Sequence, residues 1–278
     1  MGAIRELVAR SATVVVLVGA VAASGCGDGG TPRADTSAPQ LAGVYDGTVV
    51  PEDASRGSAT IIAAVGTSTS GELSITLFFE SFDVVELAGQ LLADDTVHLE
   101  GFETNLDESI ELSGDAEVTV TDESLRIMGS IDRLFFATRR SFTMERPRAN
   151  PVQHLSGEYL FTFSASGVFP AGASARLTLT FDAGGTGSST AAVVTDATAT
   201  PLATFDAGSA YFSPRGTLLI RSVYRSLRNS FIDSVVLGGE LRGDPDARGD
   251  GGCRFMDLPR PPPPSCGGWT ASLLEAAR

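Results

Sequence analysis

Leu41-Ala42-Gly43-Val44-Tyr45 opens a segment of the chain that starts again 114 residues later with Leu155-Ser156-Gly157-Glu158-Tyr159. A second pair of strings follows, Ser58 to Ile62 in the first copy and Ser174 to Thr178 in the second, at an offset of 116. A repeat this long indicates tandem domains and not a solenoid of short units. The second offset aligns three inward apolar positions, Ile61, Ala63 and Val65, with Leu177, Leu179 and Phe181.

Apolar residues in the first copy recur at every second position. The clearest runs are Leu73, Ile75, Leu77 and Phe79, then Val97 and Leu99, Ile110 and Leu112, and Leu125 and Ile127. This period is typical of antiparallel strands with one buried face. Turn-forming residues separate the runs, so we expect eight strands, starting near residues 41, 58, 72, 83, 95, 109, 124 and 134.

The second copy follows the same pattern less regularly. Tyr159, Phe161 and Phe163 share one face of its first strand. Later strands are expected at Ala191–Val194, Thr204–Phe212, Thr217–Val223, Phe231–Leu241 and, closing the domain, Trp269–Leu274. Between the last two, Asp244 to Pro264 is expected to form an enlarged hairpin.

Short, evenly spaced strands with no convincing helix between them predict an all-β chain of two tandem antiparallel β-barrels, with a β-sandwich as the alternative. The Gly-x-Tyr openings at Gly43 and Gly157 resemble the start of lipocalin-like, or calycin, barrels, although Leu41 and Leu155 lie where that family carries a tryptophan. The expected domains are 41–148 and 155–278, joined by a linker at 149–154.

The N-terminus resembles the export signal of bacterial lipoproteins. Arg5 and Arg10 precede an uncharged apolar run, Ser11 to Gly25, which is shorter than the ~20 residues of a membrane-spanning helix. Ala23-Ser24-Gly25-Cys26 matches a lipobox. The resemblance implies that residues 1–25 are a signal peptide, that Cys26 carries the lipid, and that residues 26–40 are a flexible tether. The expected location is the cell envelope, and Gly27 favours the outer membrane.

The two other cysteines, Cys253 and Cys266, form an even pair in a chain expected to be exported. An oxidising compartment favours a disulfide between them, and their spacing excludes a CxxC metal or redox motif.

The charge of the chain, −14, argues against binding to nucleic acid, which requires a basic surface. The acid is concentrated in the first domain, where residues 41–148 hold 20 Asp and Glu against 7 Arg, a net of −13. Residues 155–278 have a net charge of −1. The first domain therefore attracts cations, although solubility alone also explains such a charge.

No catalytic or metal-binding motif is evident. The two histidines, His98 and His154, have no ligand-forming residues at suitable spacing, and no nucleophile motif lies beside them. Acidic pairs such as Asp94-Asp95 and Asp107-Glu108 lie at turns, where they stay solvated. Asp244, Asp246 and Asp250 lie among glycines but lack the EF-hand spacing, so a flexible acidic loop is favoured over calcium binding. No cofactor is expected.

The barrel interiors are the remaining candidate site, because eight-stranded barrels either pack their lumen or hold one small ligand. The residues expected to line an apolar pocket are Tyr45, Leu77, Leu99, Tyr159, Phe161, Phe163 and Leu179. The leading hypothesis is a non-enzymatic envelope lipoprotein that binds a partner protein or has a structural role. The alternatives are a carrier of a small apolar ligand and, less favoured, a hydrolase that uses scattered carboxylates.

Overall fold

A computed structural model describes residues 38–52, 57–79, 84–105, 108–133, 139–148, 152–229, 231–242, 248–255 and 266–276. Apart from short 3-10 helices at Ala38–Leu41 and Val152–Leu155, its regular structure is all β. The strands of the first half are β1 (Gly43–Pro51), β2 (Ala59–Thr67), β3 (Glu72–Phe79), β4 (Val84–Leu91), β5 (Thr96–Asn105), β6 (Glu108–Val120), β7 (Ser124–Arg133) and β8 (Arg139–Pro147).

These eight strands form a closed barrel in which each strand pairs antiparallel with the next. Closure comes from β1 and β8, where Gly47 lies opposite Met144 and Val49 opposite Phe142. Closure excludes the β-sandwich alternative for this domain. Seven of the strands begin within two residues of the predicted starts, and β8 begins at Arg139 after a segment, 134–138, outside the described residues.

The second half forms another closed antiparallel barrel. Its strands are β9 (Gly157–Phe163), β10 (Ala173–Phe181), β11 (Thr186–Ser189), β12 (Ala192–Thr195), β13 (Pro201–Phe205), β14 (Gly208–Phe212), β15 (Thr217–Ser226), β16 (Ile232–Arg242), β17 (Arg248–Phe255) and β18 (Gly267–Ala276). Both β11 and β12 pair with β10, and both β13 and β14 pair with β15. Each pair of short strands therefore occupies one barrel position, and β9–β18 and β15–β16 pairing completes eight.

This arrangement corrects two sequence-based expectations. The strand predicted at Thr204–Phe212 is interrupted, because Asp206 lies between β13 and β14. The segment Asp244–Pro264, expected to be a hairpin inserted between two strands, contains a full wall strand, because β17 pairs with β16 and, beside the disulfide, with β18.

The turn between the second and third barrel positions has the same hydrogen bond and the same glycine conformation in both barrels. In the first barrel the amide of Gly71 donates to Ser68 O (3.2 Å), and in the second the amide of Gly185 donates to Asp182 O (3.1 Å). Both glycines have positive φ, 84° and 82°. The registers Tyr45–Ala63 and Tyr159–Leu177 give the second strands the same offset of 114. The offset of 116 predicted for those strands was therefore wrong by two residues. Because side chains alternate with a period of two, the residues predicted to face inward still do so.

The opening tyrosines also occupy equivalent places. Tyr45 Oη donates to Leu41 O (2.7 Å), and Tyr159 Oη donates to Leu155 O (2.6 Å). Both side chains are fully buried. Each bond satisfies a phenol that would otherwise be buried without a partner, so the repeated Leu-x-Gly-x-Tyr string fixes how the chain enters each barrel.

The glycines near residue 250 make room for Trp269. A Cβ atom on Gly251 would lie 2.7 Å from Trp269 Cζ2, and one on Gly249 would lie 3.3 Å from Cζ3. Trp269 Nε1 donates to Gly252 O at 2.8 Å. The favoured interpretation of this stretch as a flexible acidic loop was therefore wrong from Arg248 onward, where the chain forms β17, while Asp244 and Asp246 lie outside the described residues.

Candidate functional site

The lumen of the first barrel is filled mainly by aliphatic side chains. Tyr45, Leu77 and Leu99, three of the residues predicted to line a pocket, are each no more than 1% exposed. They belong to one buried cluster that also contains Phe142 and Met144 from β8. Because side chains from opposite walls join one cluster, these residues form the core of the barrel.

The lumen of the second barrel is aromatic. Tyr159, Phe161, Phe163 and Leu179, the other predicted lining residues, are also no more than 1% exposed and belong to one cluster. Ring contacts within it include Phe161–Trp269, Phe163–Phe169, Phe163–Phe205, Phe169–Tyr224 and Tyr224–Phe255, with centroids 4.7–6.0 Å apart. Ligand binding in either lumen stays a prediction.

One end of the second barrel is closed by the segment between β9 and β10. Phe169, at the centre of this segment, is 1% exposed, and its ring lies 4.7 Å from that of Phe163. The hydroxyl of Ser166 accepts hydrogen bonds from the amides of Val168 (3.2 Å) and Phe169 (3.0 Å). A local turn therefore holds the Phe169 ring in place at this end of the barrel.

Arg146, near the end of β8, holds residues 40–42 against the first barrel. Arg146 is 6% exposed, and its Nη2 donates to Gln40 O (2.5 Å) and Ala42 O (2.8 Å). Its guanidinium carbon lies 5.4 Å from the centroid of the Tyr45 ring, a cation–π contact. Arg146 therefore ties the incoming chain to the barrel.

The phenol groups of Tyr45 and Tyr159 lie in different electrostatic environments, because Arg146 lies beside Tyr45. Burial raises the pKa of Tyr45, and the hydrogen bond and positive charge of Arg146 oppose that rise. Burial raises the pKa of Tyr159 to about 12. In the second barrel, Tyr159 lies opposite Leu273, so an apolar residue stands where the first barrel has a cation.

The two barrels contact each other through a third apolar cluster, separate from both lumens. It joins four outward side chains of β1–β4 to side chains of the second barrel: Val44, Ile62, Phe78 and Val84 with Leu219, Val236 and the half-buried Tyr211. The rings of Phe78 and Tyr211 lie 5.2 Å apart. Outward-facing residues that would be solvated on an isolated barrel are thus buried between two barrels.

Polar contacts surround this cluster. The Val44 amide donates to Gly184 O at 2.7 Å, and Arg221 Nη1 lies 3.4 Å from Glu86 Oε1. The Arg215 amide donates to Asp46 Oδ2 at 2.9 Å. Asp46 is 8% exposed, and its burial raises the pKa of this carboxyl against the opposing effects of its Ser213 and Arg215 partners.

The opposite wall of the first barrel, formed by β5–β7, carries exposed acidic side chains. His98, Asp115 and Ser130 lie side by side in one row across these strands. The side chains of His98, Glu100 and Asp115 are 61%, 69% and 79% exposed. His98 and Asp115 border an open depression of about 480 Å³ that also includes Glu117 and Met128. We call the outward side chains His98, Glu100, Asp115 and Glu117 the acidic wall.

The geometry of the acidic wall does not suit nucleophilic catalysis. His98 Nδ1 lies 2.9 Å from Asp115 Oδ1, but Asp115 stands between the imidazole and Ser130, whereas a triad requires the base in the middle. The Ser130 hydroxyl accepts from Arg139 Nη2 at 2.9 Å. Within the described ranges, no three His, Cys, Asp or Glu residues are grouped to hold a metal.

Asp94, one of the predicted turn residues, is a solvated side chain that caps its own turn. Asp94 Oδ1 accepts from the amide (3.2 Å) and the hydroxyl (2.7 Å) of Thr96, and these bonds lower the pKa of Asp94. Asp107 lies outside the described residues, as do the side chains of Glu108 and His154. A carboxylate stabilised in its ionised form is a poor general acid, so Asp94 has a structural role.

The predicted disulfide between Cys253 and Cys266 is confirmed. Their Cα atoms are 5.1 Å apart, and both residues are at most 3% exposed. Cys253 lies opposite Gly267 at the start of β18, so the bond fastens β17 to its neighbour. Cys26 and the rest of residues 1–37 lie outside the described residues, and none of the helices described is long and apolar enough to span a membrane.

No protein-family profile and no curated protein matches the chain. Among solved structures, a protein of unknown function from the DUF3598 family of Nostoc punctiforme PCC 73102 is 14% identical, with 86% of this chain and 97% of that chain covered and a TM-score of 0.27. A protein assigned as AttH from Nitrosomonas europaea is 9% identical over 84% and 92%, with a TM-score of 0.19. Two eight-stranded antiparallel barrels nevertheless fit a lipocalin-like fold.

Sequence reasoning missed the contact between the barrels. Phe78-Phe79 and Val84-Val85 are adjacent apolar pairs within a period-two pattern. Such pairs indicate a strand buried on both faces, which would have identified the wall that the second barrel covers. Nothing in the sequence indicated that Asp46 and Arg146 are buried, since charged residues on strands are ordinarily solvated.

Proposed function

We propose that this protein is a lipid-anchored component of the cell envelope, attached through Cys26, that binds a partner on its outer surface and is not an enzyme. The observation that carries the proposal is the packing of both lumens. The side chains expected to line a pocket belong to two buried clusters, which supports recognition on the outer walls.

The acidic wall is the surface that we assign to the partner. It is exposed, it lies in the domain whose net charge is −13, and the covered walls β1–β4 lie elsewhere on the same barrel. A concentration of one charge sign attracts oppositely charged molecules and speeds their encounter. The partner that fits is a protein segment rich in Arg or Lys.

Site-specific photo-crosslinking in intact envelopes tests this assignment. A photoreactive residue at Glu117 should give one discrete adduct that weakens at high salt and disappears in a Glu100→Gln, Asp115→Asn variant. The same photoreactive residue at Glu240, an exposed acid of the second barrel, is the matched control. Equal adducts at both positions, or no adduct at Glu117, would count against the acidic wall.

The anchor is tested separately. Cys26→Ala should abolish incorporation of labelled palmitate and move the protein from the membrane fraction to the soluble fraction. Unchanged labelling and fractionation would contradict lipid attachment at Cys26.

The carrier alternative has one observation in its favour, which is that the segment between β9 and β10 places the buried Phe169 ring against Phe163 of the second lumen. Native mass spectrometry of the protein without its first 40 residues decides this. A mass equal to the chain with one disulfide favours recognition on the outer walls. Additional mass that is lost on denaturation would indicate a bound ligand and make Phe169 the gate.

A further inference from the structure

Asp46 is a carboxylate buried where the two barrels meet. It points outward from β1, and the turn between β14 and β15 covers it, leaving it 8% exposed. Its partners are the Arg215 amide, 2.9 Å from Oδ2, and the Ser213 hydroxyl. Both are neutral donors, and within the described residues Asp46 makes no ion pair. The charge of Asp46 is therefore only partly compensated when the barrels are joined.

The other groups around Asp46 differ from one element to the next. On β8 the neighbouring residue is Glu145, which is exposed and acidic, whereas on β2 it is the apolar Ile62. From the second barrel, the positive charge of Arg215 favours the ionised form of Asp46. Asp182 contributes the only other acid on the covering turns, and its Oδ1 is occupied by the amides of Gly184 and Thr186.

Burial is the largest influence on Asp46, and it raises the pKa of the carboxyl. When the barrels separate, water reaches Asp46 and its pKa returns towards the ordinary value. The joined state therefore binds a proton more tightly than the separated state. By linkage, joining is favoured as the pH falls through the pKa of Asp46 and disfavoured as the pH rises through it.

The barrels can separate without unfolding, because each has its own closed ring of strands and its own core. Among the described residues, separation breaks the third cluster, the Val44–Gly184, Arg215–Asp46 and Ser213–Asp46 hydrogen bonds, and the Glu86–Arg221 ion pair. We propose that Asp46 makes this contact a proton-dependent joint, which tightens when the carboxyl is protonated and loosens when it is ionised.

Hydrogen exchange of the Val44 amide tests the proposal, because this amide bonds across the joint to Gly184 O. Its protection factor, corrected for intrinsic exchange, should fall as the pH rises from about 4 to about 8. The expected fall is about tenfold for each unit by which joining raises the pKa. The Leu91 and Leu241 amides, which bond within their own barrels, should keep their protection and so report intact folding.

Two variants identify the group responsible. Asp46→Asn retains an acceptor for the Arg215 amide and should make Val44 protection independent of pH. Glu145→Gln, a change to the neighbouring exposed acid, should leave the pH dependence intact. Protection of Val44 that does not vary with pH, or that varies equally in Asp46→Asn, would overturn the proposal.

Carboxyl NMR of the unmodified protein provides a check that does not depend on variant folding. The Asp46 resonance should titrate above the ordinary aspartate range, and the fall in Val44 protection should end as the pH passes the midpoint of that titration. A midpoint in the ordinary range, or Val44 protection that keeps falling at pH values above the midpoint, would refute the joint.

Discussion

Replacing Arg146 with methionine should lower the free energy of unfolding of the first barrel by about 3 kcal/mol. Arg146 makes two charge-assisted hydrogen bonds, 2.5 and 2.8 Å long, to the carbonyls of Gln40 and Ala42, and such bonds contribute about 1.5–3 kcal/mol each. The contact with the Tyr45 ring, 5.4 Å away, adds about 1 kcal/mol. Relief of the desolvation of a buried cation offsets part of this loss, and methionine keeps the packing of the stem.

Urea unfolding separates the two barrels. Trp269 is the only tryptophan, so its fluorescence follows the second barrel, whereas far-UV circular dichroism follows both. In Arg146→Met the dichroism transition of the first barrel should move to lower urea while the fluorescence transition stays in place.

Arg148→Met is the matched control on the same side of the barrel. Its side chain is 44% exposed, and its bond to Gln40 Oε1 is 3.1 Å long, so its loss should cost less than about 1 kcal/mol. If Arg146→Met costs no more than Arg148→Met, Arg146 does not hold the incoming chain and the reasoning fails.

Three other predictions concern the second barrel. Gly251→Ala should destabilise it by about 2 kcal/mol, since the new Cβ would lie 2.2 Å from the backbone oxygen of Gly238 and 2.7 Å from Trp269 Cζ2. Gly252→Ala, whose Cβ would meet nothing within 4 Å, should cost less than about 1 kcal/mol in the same fluorescence assay. Ala199→Gly should stabilise the barrel by about 1 kcal/mol, seen as a higher urea midpoint, because Ala199 has φ of 64°; an unchanged midpoint would contradict this. Because burial raises the pKa of Tyr159 from 10.0 to about 12, stability should fall as pH rises through that interval, and Tyr159→Phe should reduce the fall; an equal fall in both proteins would contradict it.

The fold was predictable because its determinants are local. The alternation of apolar and polar residues from Leu73 to Phe79 indicates which face of a strand is buried. Turn residues such as Ser68 to Gly71 indicate where a strand ends. β3 begins at Glu72, where it was expected. The disulfide was predictable for a similar reason, because residues 155–278 contain two cysteines, which leave a single pairing within that domain.

The candidate site was not predictable to the same depth. Whether an inward row such as Phe161 and Phe163 lines a cavity or fills it depends on the volume of side chains from distant strands, for example Trp269 and Phe205. The joint depends on an outward face of one barrel meeting another barrel. Neither property is expressed in the local pattern of a single strand.

The contact between the barrels is heterologous, because the wall around Val44 and Ile62 on the first barrel receives turns and strands of the second. A heterologous contact between similar units can in principle continue, with each new unit docking on the last. At the offset of 114, Val44 and Ile62 correspond to Glu158 and Arg176 in the second barrel.

These two residues form an ion pair, 3.7 Å long, with side chains 36% and 69% exposed. A third barrel would have to bury both charges where the second barrel buries two aliphatic side chains. The polar replacement thus disfavours docking of a further barrel on this wall, as the polar caps of repeat proteins do.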